Sequence, residues 1–199
     1  MKEGQIIVIS REYASGGSDI GKKLAAALGI PYYDKNFLEK AVKDSGLSAD
    51  FVEEEEQKFI NSLLFSLATG GYRHNNDKAV ADQVFIAESN AIREVAQQGS
   101  CVIVGRCADY VLKDGYDVFS VFISGDMKDR VRWAIDVCGV DERRAEQIVK
   151  KKDRSRARHY EYYTDRNWGV PGNYHLTVNS SRLGHDGCVE LIRRALEIG

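Results

Sequence analysis

The residues best equipped for chemistry in this chain are cations. Positions 150–158 read Lys-Lys-Lys-Asp-Arg-Ser-Arg-Ala-Arg. Lys152 and Arg156 are one helical turn apart and share a face of a helix, as do Arg154 and Arg158. Asp153 is placed to orient an arginine through a charge-assisted hydrogen bond. The block reads in three ways: a solvated helix end whose cations suit the carboxyl-terminal dipole, a nucleic-acid contact, or a lid that clamps a phosphate chain. The run that follows, from His159 to Gly169, mixes aromatic and polar residues. It suits closure over a base or packing of a lid. Tyr72, Tyr160, Tyr162 and Tyr163 serve equally well as base contacts or as contacts in a homo-oligomer.

A second set sits in a glycine turn, Arg11-Glu12-Tyr13-Ala14-Ser15-Gly16-Gly17-Ser18. Laid on G-x-x-x-x-G-K-[ST], Gly16 takes the second glycine and Ser18 the hydroxyl, while Arg11 stands for the first glycine and Gly17 for the lysine. Amides at a helix start have no intrahelical partner, and with the helix dipole they attract phosphate oxygens. Glycine lets the backbone wrap closely around such an anion. The amides of Ser15, Gly16, Gly17 and Ser18 are therefore candidate phosphate ligands. The alternative is a tight strand-to-helix turn that binds nothing. Asp34 and Arg106 also follow short apolar runs; the first reads equally as a helix N-cap and the second as a surface loop cation. The histidines, His74, His159, His175 and His185, are dispersed, and a G-x-S-x-G elbow and a G-x-G-x-x-G first turn are absent.

Elements must carry these groups. Gln5–Ser10 reads as a buried strand, and a helix from Ser18 shows Ile20, Leu24 and Leu28 on one face before Gly29 closes it. Residues 30–34 predict a second short strand. Positions 37–77, with the acidic block Glu53–Glu56 and a loop at 70–77, read as an inserted helical subdomain. The pattern then predicts a helix over 79–98, a strand over Cys101–Val104, a strand over Val118–Ser124, and a helix over Met127–Cys138 with Met127, Val131, Ala134, Ile135 and Cys138 inward. Asp141 is a helix cap. A last strand over His175–Asn179 precedes a helix with Cys188, Leu191, Ile192, Ala195 and Leu196 inward. Strands alternating with helices imply a parallel sheet covered on both faces, and in such sheets ligands lie beyond the carboxyl ends of the strands.

Composition sets outer bounds. The chain has 199 residues, 43% hydrophobic and 29% charged, with a net charge of −2; one domain of that size buries a core without metal or disulfide support. The charge balance argues against a generally basic nucleic-acid binder. Cys101, Cys107, Cys138 and Cys188 show no C-x-x-C spacing, which argues against a zinc or redox motif and fits a reducing compartment. No run is long enough to span a bilayer. The expectation is a cytoplasmic protein without membrane or nucleic-acid partners.

The tract from Ile7 to Asp34, with its S-G-G-S turn, Ile20-Gly21-Lys22-Lys23-Leu24 and Gly29-Ile30-Pro31-Tyr32-Tyr33-Asp34, resembles the start of cytidylate kinases. The R-E-Y-x-S-G-G turn, Gly105-Arg106 and the basic block bring it nearest to the cytidylate kinase-like family of P-loop nucleoside monophosphate kinases, over essentially the whole chain. The resemblance implies an α/β fold, a P-loop kinase-type parallel sheet of about five strands flanked by helices, with a helical acceptor-binding insert and a lid at about 150–170. It implies ATP with Mg²⁺ as cofactor, the metal taking the Ser18 hydroxyl, and a phosphorylated acceptor, CMP or dCMP, held by Arg106 and Asp34. Lys152 and Arg156 fit the family's lid pattern, with Asp153 and Arg158 in support, and Arg11 or Arg154 stands in for the lysine. Cys107 occupies the place of an aspartate and Asp19 that of a hydroxyl. Two other functions stay open: a regulatory nucleotide-binding protein with a degenerate loop, and a kinase of a non-nucleotide small molecule.

Overall fold

The structure is a computed structural model that describes residues 1–37 and 75–198. The expected insert falls almost wholly on 38–74, outside the described residues. Strand β1 (Ile6–Arg11) is the centre of a five-stranded sheet completed by β2 (Tyr32–Tyr33), β3 (Cys101–Val104), β4 (Val118–Ser124) and β5 (Leu176–Asn179), in the order β2-β3-β1-β4-β5. Every pairing is parallel; Ile6 to Ile9 pair with Cys101 to Val104 on one side, and Ile6 to Arg11 with Val118 to Ile123 on the other. A parallel strand buried on both faces has no need of polar alternation, and Ile6, Ile7, Val8 and Ile9 are all buried.

Helices cover both faces. On one side Ile7, Ile9, Val104 and Ile123 pack with Ile20 and Leu24 of α1 (Gly17–Leu28) and with Cys188, Ile192 and Leu196 of the last helix, α6 (Ser180–Ile198). On the other, Ile6, Val8 and Ile103 pack with Ala91, Ile92 and Val95 of α2 (Asn75–Gln97) and with Ala108 and Leu112 around the short helix α3 (Ala108–Val111). Gly29 ends α1 at φ 66°, a left-handed conformation that costs glycine little.

Two helices bear on the site. Helix α4 (Met127–Asp136) packs against α5 (Ala145–Thr164), a single helix of 20 residues that carries the basic block. Asp141 caps the turn of 3-10 helix that leads into α5, accepting from Arg143 N at 2.9 Å. The inward face expected of α4 is corrected: Arg130 and Ala134 are buried, whereas Cys138 lies beyond the helix end and is exposed. A charged side chain is inside because two carboxylates meet it there. On α6, Leu191 is exposed and Val189 is buried instead, so the inward stripe runs through Cys188, Val189, Ile192 and Leu196; Gly184 (φ 67°, ψ 170°) breaks the helix ahead of it. Among the described residues no helix is long and apolar enough to cross a membrane.

Candidate active site

The glycine turn, the candidate phosphate turn, joins β1 to α1 as the sequence predicts. Gly16 is left-handed at φ 75° and precedes the first residue of the helix. Ser15 differs from expectation in one respect. Its hydroxyl points inward, donating to the carbonyls of Glu12 (2.9 Å) and Ile123 (3.2 Å), and its amide reaches Glu12 O at 3.4 Å. Ser15 therefore anchors the turn to β4. The Ser18 hydroxyl is on the exposed side, beside the Tyr32 phenol. Burial and the Asp34 carboxylate push that phenol up to about 12.

Arg11, the last residue of β1, runs across the turn. A Cβ on Gly17 would stand 2.6 Å from Arg11 Cβ, and a Cβ on Gly105 would overlap the Arg11 guanidinium. The side chain thus spans from the phosphate turn to the end of β3. Its guanidinium lines a cavity of about 210 Å³ together with Arg106, Lys152, Arg156 and Lys35. Burial, then the charges of Arg156 and Arg106, drive Arg11 down to about 9. Its Nε is buried with no hydrogen-bond partner. Like charges converge at low dielectric only at a cost, and a cluster of this kind is electrostatically completed by an anion.

Arg156 is driven down by burial and held up by Asp153; its Nη1 donates to the Arg11 carbonyl at 2.8 Å and its guanidinium lies 5.5 Å from the Tyr13 ring centroid. Asp153 does orient an arginine, but one outside the basic block. Its Oδ2 accepts from Nη1 and Nη2 of Arg130 at 2.8 and 2.7 Å, and its Oδ1 from Tyr13 N at 2.7 Å. Arg130 also meets Glu12 Oε2 at 3.2 Å, and the same oxygen accepts from Gly125 N at 2.9 Å. Helix α5 is thereby tied to the phosphate turn. Lys152 is exposed at the rim of the cavity, while Arg154 points to solvent away from its wall. Arg158 lies off the cavity as well, with a buried Nη1 that has no hydrogen-bond partner.

At the end of β3, Gly105, Arg106 and Cys107 have φ of 83°, 59° and 54°. Two non-glycine residues in succession in the left-handed region is a strained turn of the kind found at ligand sites. It aims Arg106 back into the cavity, 3.3 Å from Glu88 Oε1, and Glu88 is itself almost fully buried. Cys107 Sγ lies 3.5 Å from His159 Nδ1 on α5. Asp109 accepts from the Tyr160 hydroxyl at 2.7 Å, and both line the cavity. Asp34 caps a helical turn, its Oδ1 accepting from Asn36 N (3.0 Å) and Phe37 N (3.3 Å). It stands near Arg11, and its neighbour Lys35 reaches the cavity.

Of the residues singled out in the sequence, then, Arg11, Arg106, Lys152 and Arg156 share one cavity, and the glycine turn flanks it. Arg130, Glu88, Asp109 and His159 were missed. Arg130 lay in an ordinary amphipathic pattern, and the other three are joined to the site only by tertiary contact. His185, also passed over, lies with its imidazole against Gly16 and its Nδ1 2.6 Å from Asp19 Oδ2. Among the described residues no group of three or more His, Cys, Asp or Glu side chains is disposed to hold a metal ion.

A family model for the cytidylate kinase-like family matches residues 6–182. The chain belongs to that family. No curated protein matches the chain. Among solved structures, an uncharacterized protein from Eubacterium ventriosum is similar with a TM-score of 0.74 and 28% identity, over 96% of this chain and 98% of that one. Shikimate kinase from Bacteroides thetaiotaomicron (TM-score 0.52, 15% identity, 98% and 99% covered) and TT1252 from Thermus thermophilus (TM-score 0.56, 15% identity, 98% and 97% covered) share the fold. The five-stranded parallel sheet flanked by helices is the P-loop kinase-like α/β fold.

Proposed function

We propose that this protein transfers the γ-phosphoryl group of ATP to a small phosphorylated acceptor, with CMP or dCMP as the first candidate. The observation that carries the reading is the convergence of Arg11, Arg106, Lys152 and Arg156 on one cavity at the carboxyl ends of β1 and β3, against α5. Phosphoryl transfer between phosphates asks little covalent chemistry of a protein. An oxygen of the acceptor phosphate, already ionised at neutral pH, forms a bond to the γ-phosphorus as the bond to the β–γ bridging oxygen breaks, leaving ADP and an acceptor diphosphate. No general base is needed for an acceptor oxygen that is already ionised. Positioning and charge neutralisation remain.

In this reading the amides of Gly16, Gly17 and Ser18 receive the donor phosphates. Arg106 holds the acceptor phosphate, and Lys152 and Arg156 on α5, the lid of the site, lie along the transferring group. Asp153 and Arg130 fix α5 against the turn, and Asp34 orders the chain beside Arg11. Arg11 takes the place of the lysine: position 17 has no room for a Cβ because the Arg11 stem fills it. The Arg11 stem crosses the turn and delivers the guanidinium to the cavity at the end of β3, beside Gly105. Arg154 is withdrawn from that role, since it faces solvent. Ser18 fits Mg²⁺ through an exposed hard oxygen at the first turn of α1, where one protein ligand with phosphate oxygens and water suffices. The metal, when bound with ATP, neutralises charge on the phosphate oxygens. A cytoplasmic location goes with this reading.

A second reading, nucleotide binding without turnover, is favoured by one observation: the turn has Gly17 where the phosphate-loop pattern has a lysine. An ADP-release assay over a panel of acceptors, set beside ATP binding by calorimetry, tests both. Binding without ADP release with any acceptor, nucleotide or not, selects the second.

A further inference from the structure

The two glycines of the turn are each approached by a basic side chain, one from the start of the turn and one from the last helix. Arg11 lies on Gly17, and His185 lies on Gly16, with Nε2 the ring atom nearest to where a Cβ would stand. The histidine is built in from three elements. Asp19 of α1 holds Nδ1 at 2.6 Å, and Lys23 of the same helix meets that carboxylate at 3.6 Å. Trp133 of α4 packs its ring 4.6 Å from the imidazole centroid. Asp186, next in α6, binds Lys23 at 2.9 Å and leaves the imidazole to Asp19. Gly184, at φ 67° and ψ 170°, breaks α6 just before His185.

A carboxylate on one imidazole nitrogen fixes the ring and determines what the other nitrogen can do. With Nδ1 on Asp19, Nε2 is left to face the backbone of the phosphate turn. The imidazolium form carries a proton there and offers a charged donor to an anion seated on the turn amides. Asp19, in the first turn of α1, shares its carboxylate between that ring and Lys23.

We infer that His185, oriented by Asp19, is a donor-phosphate ligand: a second basic group, besides Arg11, at the position emptied by the absent lysine. The inference rests on the proposed reading of the turn as the ATP site. His185 is assigned to ATP affinity, and the acceptor side is not involved.

The test is ATP binding by calorimetry with Mg²⁺, and KM for ATP where turnover is found, in wild type, His185→Gln, His185→Lys and Asp19→Asn, with folding checked by thermal melting. The expected result is a loss of about tenfold or more in ATP affinity for His185→Gln, recovery of most of it in His185→Lys, a smaller loss in Asp19→Asn, and an unchanged KM for the acceptor. Recovery by lysine is a result that a merely structural histidine would not give. Wild-type ATP binding that His185→Gln leaves intact overturns the inference while the ATP site stands. Loss in both His185→Gln and His185→Lys with folded proteins also overturns it. Wild type that binds no ATP overturns the inference and the proposed reading together.

Discussion

Arg11 and Gly17 are a reciprocal pair: the Arg11 Cβ and Cγ occupy the volume a side chain at position 17 would need, at 2.6 and 2.7 Å from its Cβ. Each residue departs from the usual phosphate-loop pattern, and each departure explains the other. An arginine at the end of β1 is compatible only with glycine at 17, and glycine at 17 leaves a cation to be supplied from elsewhere. Arg11→Gly and Gly17→Lys, made singly, are expected to lower phosphoryl transfer by about 10²-fold or more. The double variant is expected to recover a measurable part of it, since it restores the ordinary arrangement. Equal losses in the single and double variants, measured as kcat/KM with ATP, would break the pairing.

Burial and two neighbouring guanidinium groups depress Arg11 to about 9. The sign follows from linkage: from about pH 9 upward the unfolded chain holds this proton more tightly than the folded one, so the cost of the charge is fully present below pH 9 and is relieved as pH rises. At pH 7 the cost is in force. Arg11→Met keeps the stem and removes the charge, so the melting temperature without ligand is expected to rise, by roughly 2–4 °C for each kcal/mol recovered. The stabilisation that inorganic phosphate or ATP gives wild type should at the same time shrink. A fall in the ligand-free melting temperature would contradict this.

Arg156 of α5 lines the cavity, is bonded to the Arg11 carbonyl at 2.8 Å, and is proposed to lie along the transferring group. Arg156→Ala is expected to lower kcat by about 10²–10³-fold with the melting temperature little changed. Rapid-quench or coupled kinetics with circular dichroism separate the two effects.

Arg130 is a different kind of residue. Its side chain is 3% exposed and bridges Asp153 and Glu12, so removing it leaves two carboxylates with one charge partner fewer. Breaking such a buried pair costs about 3–5 kcal/mol. Arg130→Met should show that loss in denaturant unfolding, as should Asp153→Ala. The two losses should not add in the double variant, because both remove one interaction. Additive losses would mean that they act separately.

Much of this fold was legible in the sequence. Ile6–Ile9 and Cys101–Val104 are short, wholly apolar runs closed by turn residues, the pattern of strands buried on both faces. The cations of the site were legible because a turn and a strand end each deliver one, and because Lys152 and Arg156 share a helix face. What escaped depends on packing between distant elements. Arg130 lies on the inward stripe with Met127 and Ala134, but a charged side chain is not expected inside a helix face, and its burial is explained only by Asp153, 23 residues on, and Glu12. Ser15 looked like a phosphate ligand by place, yet the carbonyls of Glu12 and Ile123 take its hydroxyl. His185 is 166 residues from Asp19 in the chain, and nothing local marks it as part of the turn.

Arg106 is aimed into the cavity by a strained turn and is assigned to the acceptor phosphate. Arg106→Ala should raise KM for a phosphorylated acceptor by about tenfold or more and leave KM for ATP nearly unchanged. Indifference of the acceptor KM would point to an acceptor without a phosphate group.

The most direct test of the central claim is a coupled ADP-release assay with ATP, Mg²⁺ and each nucleoside monophosphate in turn. The account predicts turnover with at least one of them, CMP or dCMP foremost, and its loss in Arg11→Met. No ADP release with any monophosphate, from folded protein that binds ATP, would contradict it.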